Sequence, residues 1–275
     1  YALKRSTENP EILPDRIYDE YISTRYGKKA LEPVKNAFKK TYDIVLSSMY
    51  ILGTNAAKHS SMDYEPYSSS YDRHVSGRWL EPPVVFVEHG INKEFHYWKD
   101  IINHIAPARF KTKDSRLGLE ARYVIDQNWV TPVELMDSLY LSYIITEKRY
   151  GVSLANEALA DIERAKDLLN PSDYDDLYRL FKRTALTAQL YEAVSTAYFG
   201  FRIYAKGKSY RYENLEEQIR SALNRIDLVT DEMKGMQGGY PLGQWDWLKD
   251  AETALSYKNK ILTGWKEYNN VKFTQ

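Results

Sequence analysis

The residues best suited to chemistry or ligand binding are concentrated between Gly53 and Gly90. Three of the five histidines of the chain lie there, together with a high density of tyrosine, arginine and serine, and the run lacks the apolar spacing of a helix. A long segment of this kind inside a compact domain is usually functional or disordered, and so many aromatic residues are not typical of disorder. We therefore predict an ordered loop over residues 54–91 that faces a ligand.

Arginine and aromatic side chains in this loop suit a saccharide. Arginine offers a planar fork of donors, while tyrosine and tryptophan offer flat faces for stacking on sugar rings. The alternative interpretation, that the aromatic residues pin the loop onto the rest of the protein, is equally compatible with the sequence. The candidate carbohydrate-binding residues are Tyr64, Tyr67, Tyr71, Arg73, His74, Arg78, Trp79 and His89, with Trp245 from the glycine-rich stretch at 235–245.

Catalytic patterns are weaker than this binding pattern. Glycoside hydrolysis needs two carboxyl groups about 5–10 Å apart, and the loop contains Asp63, Glu65, Asp72, Glu81 and Glu88. Because the chain has 38 acidic residues, solvated loop charges are the favoured interpretation. The group Glu88, His89, Glu94 and His96 matches no metal-binding signature, and the chain has neither a nucleophile elbow nor a phosphate-binding glycine pattern. We therefore assign no catalytic residue, metal or cofactor, and a complete small enzyme with catalytic carboxylates in the loop stays a further alternative.

Composition narrows the class of partner. Lys and Arg number 38, equal to Asp and Glu, so no net charge attracts nucleic acid. No run of 18 apolar residues is present, so we expect no membrane span, and the absence of cysteine excludes disulfides and thiolate metal sites. The 24 tyrosines either serve binding or replace Phe and Leu in a helical core. The opening YALKRSTENP has neither an initiator Met nor a signal-peptide pattern, so we expect a fragment or a processed product.

The periodicity that surrounds the loop is helical. Pro14 and Gly27 bound a first helix, and a second helix follows with apolar spacings of three and four, which predicts an antiparallel helical hairpin over residues 1–53. The apolar stripe predicted for the second helix consists of Leu31, Val34, Phe38, Tyr42, Val45 and Met49.

A helical bundle is predicted over residues 92–275. Helices are expected at 92–105 and 116–130, then a buried central helix from a capping box at 131–134, broken or bent at Gly151. The remaining helices are predicted from 153 to Asn170, from Ser172 toward Gly207, from Leu215 to Met233 and from Leu248 to Trp265, with Leu255 and Leu262 on the buried face of the last. The expected fold is a single all-α domain, an irregular bundle of seven to nine long amphipathic helices with one long loop.

The start of the chain resembles a passage in polysaccharide-degrading glycoside hydrolases. Asn9-Pro10 is followed by IYDEYISTRYG and a second helix, and in the α-glucuronidase-like enzymes a similar passage leads from a (β/α)8 barrel into an all-helical C-terminal domain. The resemblance rests on about the first fifty residues. It implies a bacterial protein, periplasmic or extracellular, whose catalytic carboxylates belong to an upstream barrel. This piece would then flank the substrate cleft, bind oligo- or polysaccharide, or form a homodimer; the alternative is a non-enzymatic protein-interaction or scaffold domain.

Overall fold

The computed structural model describes residues 1–51, 54–55, 57–58, 61–62, 124–125, 128–129, 138–205, 214–236 and 248–272. Seven α-helices lie in this part of the chain: α1 (Ala2–Glu8), α2 (Pro14–Arg25), α3 (Leu31–Met49), α4 (Ser138–Arg164), α5 (Pro171–Ala205), α6 (Leu215–Gly235) and α7 (Leu248–Lys272). Short 3-10 helices cover Lys28–Ala30 and Lys166–Leu168. The predicted all-α bundle is confirmed for the described residues.

In the described part of the chain, the strands are two-residue pieces in three antiparallel pairs. They are β1 (Tyr50–Ile51) with β2 (Thr54–Asn55), β3 (Ala57–Lys58) with β4 (Ser61–Met62), and β5 (Val124–Ile125) with β6 (Asn128–Trp129). The third pair corrects the helix predicted over residues 116–130, because Val124–Ile125 and Asn128–Trp129 pair as antiparallel strands inside that run. The run contains Val124 and Ile125, β-branched residues that favour extended backbone.

Proline and glycine punctuate the helices as the sequence predicts. Pro14 is the first residue of α2, where its missing N–H costs no hydrogen bond. Gly27 then turns the chain with a φ of 92°, a conformation that favours glycine. At the start of α5, the backbone N–H of Asp173 donates to Oδ1 of Asn170 at 2.9 Å, so Asn170 caps the helix that Pro171 opens.

Two pairs of successive helices, α2 with α3 and α6 with α7, run in opposite directions, as the contacts between their side chains show. Asp15 and Asp19 of α2 pair with Lys39 and Lys35 of α3 respectively, so the order reverses between the two helices. The predicted antiparallel hairpin is therefore confirmed. In α6 and α7 the order is reversed in the same way. The Arg220 guanidinium of α6 lies over the Trp265 ring of α7, whereas Asp227, later in α6, pairs with Lys258, earlier in α7.

The 35-residue helix α5 spans both apolar cores of the bundle. At 1.5 Å per residue it is about 50 Å long. The first core packs α2, α3, the C-terminal half of α4 and the N-terminal half of α5; its centre includes Ile22, Val34, Ile162 and Phe181. The second core packs the N-terminal half of α4 and the C-terminal half of α5 with α6 and α7; its centre includes Ile144, Leu190, Ile226 and Trp265.

The predicted break at Gly151 is wrong, because α4 continues through it from Ser138 to Arg164. The glycine serves the approach of a neighbouring helix: a Cβ at this position would lie 3.0 Å from both Ser47 Cβ and Ser48 Oγ of α3. At positions where helices come this close, a residue without a side chain is required by packing.

The predicted apolar stripe of α3 agrees in part with the buried face: Val34 is fully buried, and Leu31, Phe38 and Met49 are partly buried against the two cores. Tyr42 and Val45 are 66% and 44% exposed, whereas Ala37, Ile44 and Ser48 are buried. The helix turns its small residues toward α4, since these allow close approach, and leaves larger apolar residues in solvent. Leu262 of α7 is likewise 39% exposed, which corrects its placement on a buried face.

Candidate functional site

The predicted carbohydrate-binding residues lie outside the described part of the chain. This holds for Tyr64, Tyr67, Tyr71, Arg73, His74, Arg78, Trp79, His89 and Trp245, for the acidic residues of the loop, and for the group Glu88, His89, Glu94 and His96. The strand-like run at 84–87 and the predicted helix at 92–105 also lie outside it. The structure describes short strands at the beginning of the predicted loop and the helix that follows the Trp245 stretch.

The beginning of the predicted loop contacts the helix that follows the Trp245 stretch in sequence. The loop predicted at 54–91 leaves α3 through the short pairs β1–β2 and β3–β4, and β4 contacts α7. The stretch that contains Trp245 leads directly into α7, which begins at Leu248. The beginning of the loop is thus carried by the helix that follows the glycine-rich stretch.

Lys148 holds the end of α3, from which the chain enters this segment. Its Nζ donates to the carbonyl oxygens of Ser47 at 2.7 Å and Ser48 at 3.1 Å. These carbonyls belong to the last turn of α3, where helical backbone has no further N–H partner. A cation is also favoured at the C-terminal end of a helix, because the helix dipole is negative there.

The Lys148 ammonium is completely buried beside a carboxylate. Glu147 Oε2 lies 3.4 Å from Lys148 Nζ, and both side chains are 0% exposed. Burial lowers the pKa of Lys148, and the neighbouring Glu147 carboxylate opposes that shift. We call Ser47, Ser48, Glu147 and Lys148 the polar junction. Along α4, Glu147 and Lys148 lie between the residues that belong to the second core and those that belong to the first core.

A perturbed, buried lysine is a common feature of catalytic sites, but the geometry here assigns a different role. A nucleophile or general base must reach a substrate, and neither charged side chain of the polar junction has any exposed surface. The hydroxyl groups of Ser47 and Ser48 are also buried and have no hydrogen-bond partner in the described part of the protein. The arrangement can fix a helix end, and it presents no open reactive group.

A second buried carboxylate, Glu192 of α5, links three helices. Its Oε2 accepts a hydrogen bond from Arg225 of α6 at 2.6 Å, and its Oε1 lies 3.7 Å from Nε of Arg149 of α4. The Glu192 side chain is almost fully buried, while both arginines reach solvent. The two guanidinium groups therefore compensate a buried charge from the protein surface.

Sequence reasoning missed the polar junction, although one signal for it was present. The helix around 133–151 is apolar on most faces, and adjacent Glu147 and Lys148 interrupt that pattern at its centre. Two charges inside a helix that must be buried predict an internal ion pair. Their partners on α3 are backbone carbonyls, which no residue pattern reveals.

The described residues also bear on metal binding and on membrane insertion. They contain no group of three or more His, Asp or Glu placed to hold a metal ion. None of the described α-helices carries an apolar stretch of the length that a membrane span requires.

Comparison of the chain with protein-family models, with curated proteins and with solved structures finds no match.

Proposed function

We propose that this chain is a carbohydrate-associated helical domain whose bundle carries the aromatic segment at 54–91 against an oligo- or polysaccharide. The observation that carries the proposal is the contact of β4 with α7, the helix that follows the Trp245 stretch. The beginning of one aromatic segment therefore contacts the helix that follows the other in sequence. The residue types in the two segments suit sugar rings, with Trp79 and Trp245 for stacking and Arg78 as a charged donor.

The polar junction offers no catalytic group to a substrate. Its charged groups are closed to solvent, so they serve the bundle. A parent protein related to glycoside hydrolases would supply catalysis from an upstream barrel domain, and the bundle would flank or extend the polysaccharide-binding cleft of that barrel. This parentage, with a periplasmic or extracellular location, belongs to the proposal and rests on the resemblance around Asn9-Pro10.

Affinity gel electrophoresis over a panel of plant and microbial polysaccharides tests the proposal. The wild-type chain is expected to be retarded by at least one polysaccharide, and Trp79→Ala and Trp245→Ala should each weaken the retardation. Tyr42→Ala is the matched control, because Tyr42 is an exposed aromatic residue on α3 outside both segments. Retardation by none of the polysaccharides, or equal loss in Tyr42→Ala, would contradict the proposal.

A second candidate function is a non-enzymatic protein-interaction or scaffold domain, including a homodimer. Exposed Tyr42 and Val45 favour it, since they lie three residues apart on one face of α3. Sedimentation velocity of the wild-type chain and of the Tyr42→Ser and Val45→Ser variants, over a range of concentrations, tests the homodimer form of the second function. A concentration-dependent dimer that Tyr42→Ser and Val45→Ser abolish supports the second function, and a monomer at all concentrations contradicts its homodimer form.

A further inference from the structure

The C-terminal turn of α3 is built differently from an ordinary helix end. Helices commonly end in a residue of left-handed conformation that lets following N–H groups bond to the last carbonyls. Here the chain passes from Met49 directly into the extended pair β1–β2, which begins at Tyr50. The carbonyls of Ser47 and Ser48 are satisfied by Lys148, a residue about one hundred positions further along the chain.

The position of this turn is fixed by two residues of α4. Gly151, one turn after Lys148 on α4, brings the α4 backbone close to Ser47, whose carbonyl carbon would lie 3.3 Å from a Cβ on the glycine. Lys148 then holds the carbonyl oxygens of the same turn. A shift of the α3 end away from α4 would leave the buried ammonium without these acceptors, and such a loss is costly in a buried site.

We propose that Lys148 is a clamp that couples the bundle to the segment after α3, fixing where the chain leaves the helix and so positioning β1 to β4. Lys148 is a positioning residue in this role, since it touches the backbone of α3 and no ligand. The consequence for saccharide binding rests on the proposed function. The mechanical coupling does not depend on it.

A simpler role for Lys148 would be to neutralise Glu147. In that case the loss of Lys148 would lower the stability of the whole bundle and would not act preferentially on the end of α3. The clamp predicts a local effect in addition, confined to the last turn of α3 and the residues that follow it.

Lys40 provides a matched control on the same pair of helices. Its Nζ lies 2.6 Å from Oδ2 of Asp161 of α4, so Lys40→Met also removes a lysine that pairs with a buried carboxylate. Lys40 is in the middle of α3, about two turns before the end that Lys148 holds. The two variants therefore each remove a lysine between α3 and α4 at a different place, with Lys40 partly exposed and Asp161 keeping Arg164 as a second partner.

The test is amide hydrogen exchange of the full chain without ligand, in wild type, Lys148→Met and Lys40→Met. We expect amides from Met49 to Ser61 to exchange at least about tenfold faster in Lys148→Met than in Lys40→Met, after both are scaled by global stability. Amides from Val34 to Asp43 should show no such difference. Equal local rates in the two variants, or unprotected amides at 50–55 in the wild type, would overturn the clamp.

The double variant Glu147→Gln/Lys148→Met keeps the test decisive if Lys148→Met does not fold, because it removes both buried charges together. The same local acceleration is expected in it, and its absence would again overturn the clamp. The affinity gels then separate this inference from the proposed function. Local acceleration without any saccharide binding supports the clamp and contradicts the function.

Discussion

The two cores of the bundle are built from different kinds of residue. In the first core, half of the fourteen fully buried apolar residues are alanine and Phe181 is the one buried aromatic among them. In the second core, five of twenty-three are alanine and five are aromatic, among them Phe199, Tyr257 and Trp265. The first core is lined by half-buried tyrosines such as Tyr26 and Tyr178, which keep a polar tip near solvent.

The difference shows two ways of stabilising one bundle. Small residues let the backbones of α2 to α5 approach closely, so the first core depends on many small contacts between helices. The second core depends on large rings: Trp265 stacks on Phe201 at 5.5 Å and on Tyr204 at 5.2 Å, with the Arg220 guanidinium over it at 5.1 Å. The polar junction lies between the two and belongs to neither pattern.

The largest effect is expected at the polar junction. Lys148→Met leaves the buried Glu147 without its neighbouring cation, and removal of one partner of a buried pair costs about 3–5 kcal/mol of unfolding free energy. Glu147→Gln/Lys148→Met should recover part of this loss, since no uncompensated charge stays buried. Urea unfolding of both variants checks the result; a double variant less stable than Lys148→Met would show that the pair is not the main source of the cost.

Loss of the central ring of the second core should have an effect of similar size. Trp265→Ala removes the side chain that three neighbours contact, and a large-to-small change of this kind costs about 3–5 kcal/mol. Tyr42→Ala, at an exposed ring, should change the unfolding free energy by less than about 0.5 kcal/mol. Comparable losses in both variants would mean that ring size, and not core position, sets the cost.

The first core should be sensitive to added volume. Ala158 is fully buried there, so Ala158→Leu forces the helices apart and should cost about 1–3 kcal/mol. Asn156→Leu, at an exposed position of the same turn, should be within about 0.5 kcal/mol of wild type. A neutral Ala158→Leu in thermal or urea unfolding would contradict the close packing described for this core.

The smallest effect concerns pH. The pKa of Lys148 is lowered by burial from its ordinary value of 10.5, so between the two values the unfolded chain binds more protons and stability rises with pH. The pKa of Lys35 is raised by its hydrogen bond to Asp19, so its contribution is complete below 10.5 and is lost as pH rises through its folded value. Alkaline urea unfolding of Lys148→Met and Lys35→Met should therefore remove pH slopes of opposite sign; slopes of the same sign would contradict this assignment.

Much of the helical architecture could be predicted from the sequence, because proline, asparagine and glycine mark the helix ends directly. The start of α2 at Pro14 follows from local chemistry alone, and α5 begins at Pro171, one residue before the predicted start at Ser172. The buried face of α3 could be predicted only in part: Val34 was placed on it correctly, whereas buried Ala37 and Ser48 were missed, because small residues carry no hydrophobic signal. Gly151 was misread for the same reason: the sequence shows its low helix propensity, whereas its value lies in a contact with another helix.

For the candidate site, too, the sequence predicts side-chain types and does not predict contacts made by the backbone. The residue types of the loop predict that the ligand is a saccharide. Trp79, the main residue of that prediction, lies outside the described residues. The polar junction depends on a contact between residues about a hundred positions apart, and half of that contact is backbone. Sequence patterns report side chains, so an ammonium that holds helix carbonyls is visible only in the folded chain.

The most direct test of the proposed function is to compare Trp79→Ala with Trp265→Ala for both melting temperature and polysaccharide affinity. We expect Trp79→Ala to keep the wild-type melting temperature and to lose affinity, because the Trp79 ring serves as a platform for a sugar. Trp265→Ala should instead show a sharp fall in melting temperature, because its ring stabilises the second core. A sharp fall in melting temperature for Trp79→Ala would show that this ring is a structural anchor and would contradict the carbohydrate-binding role of the loop.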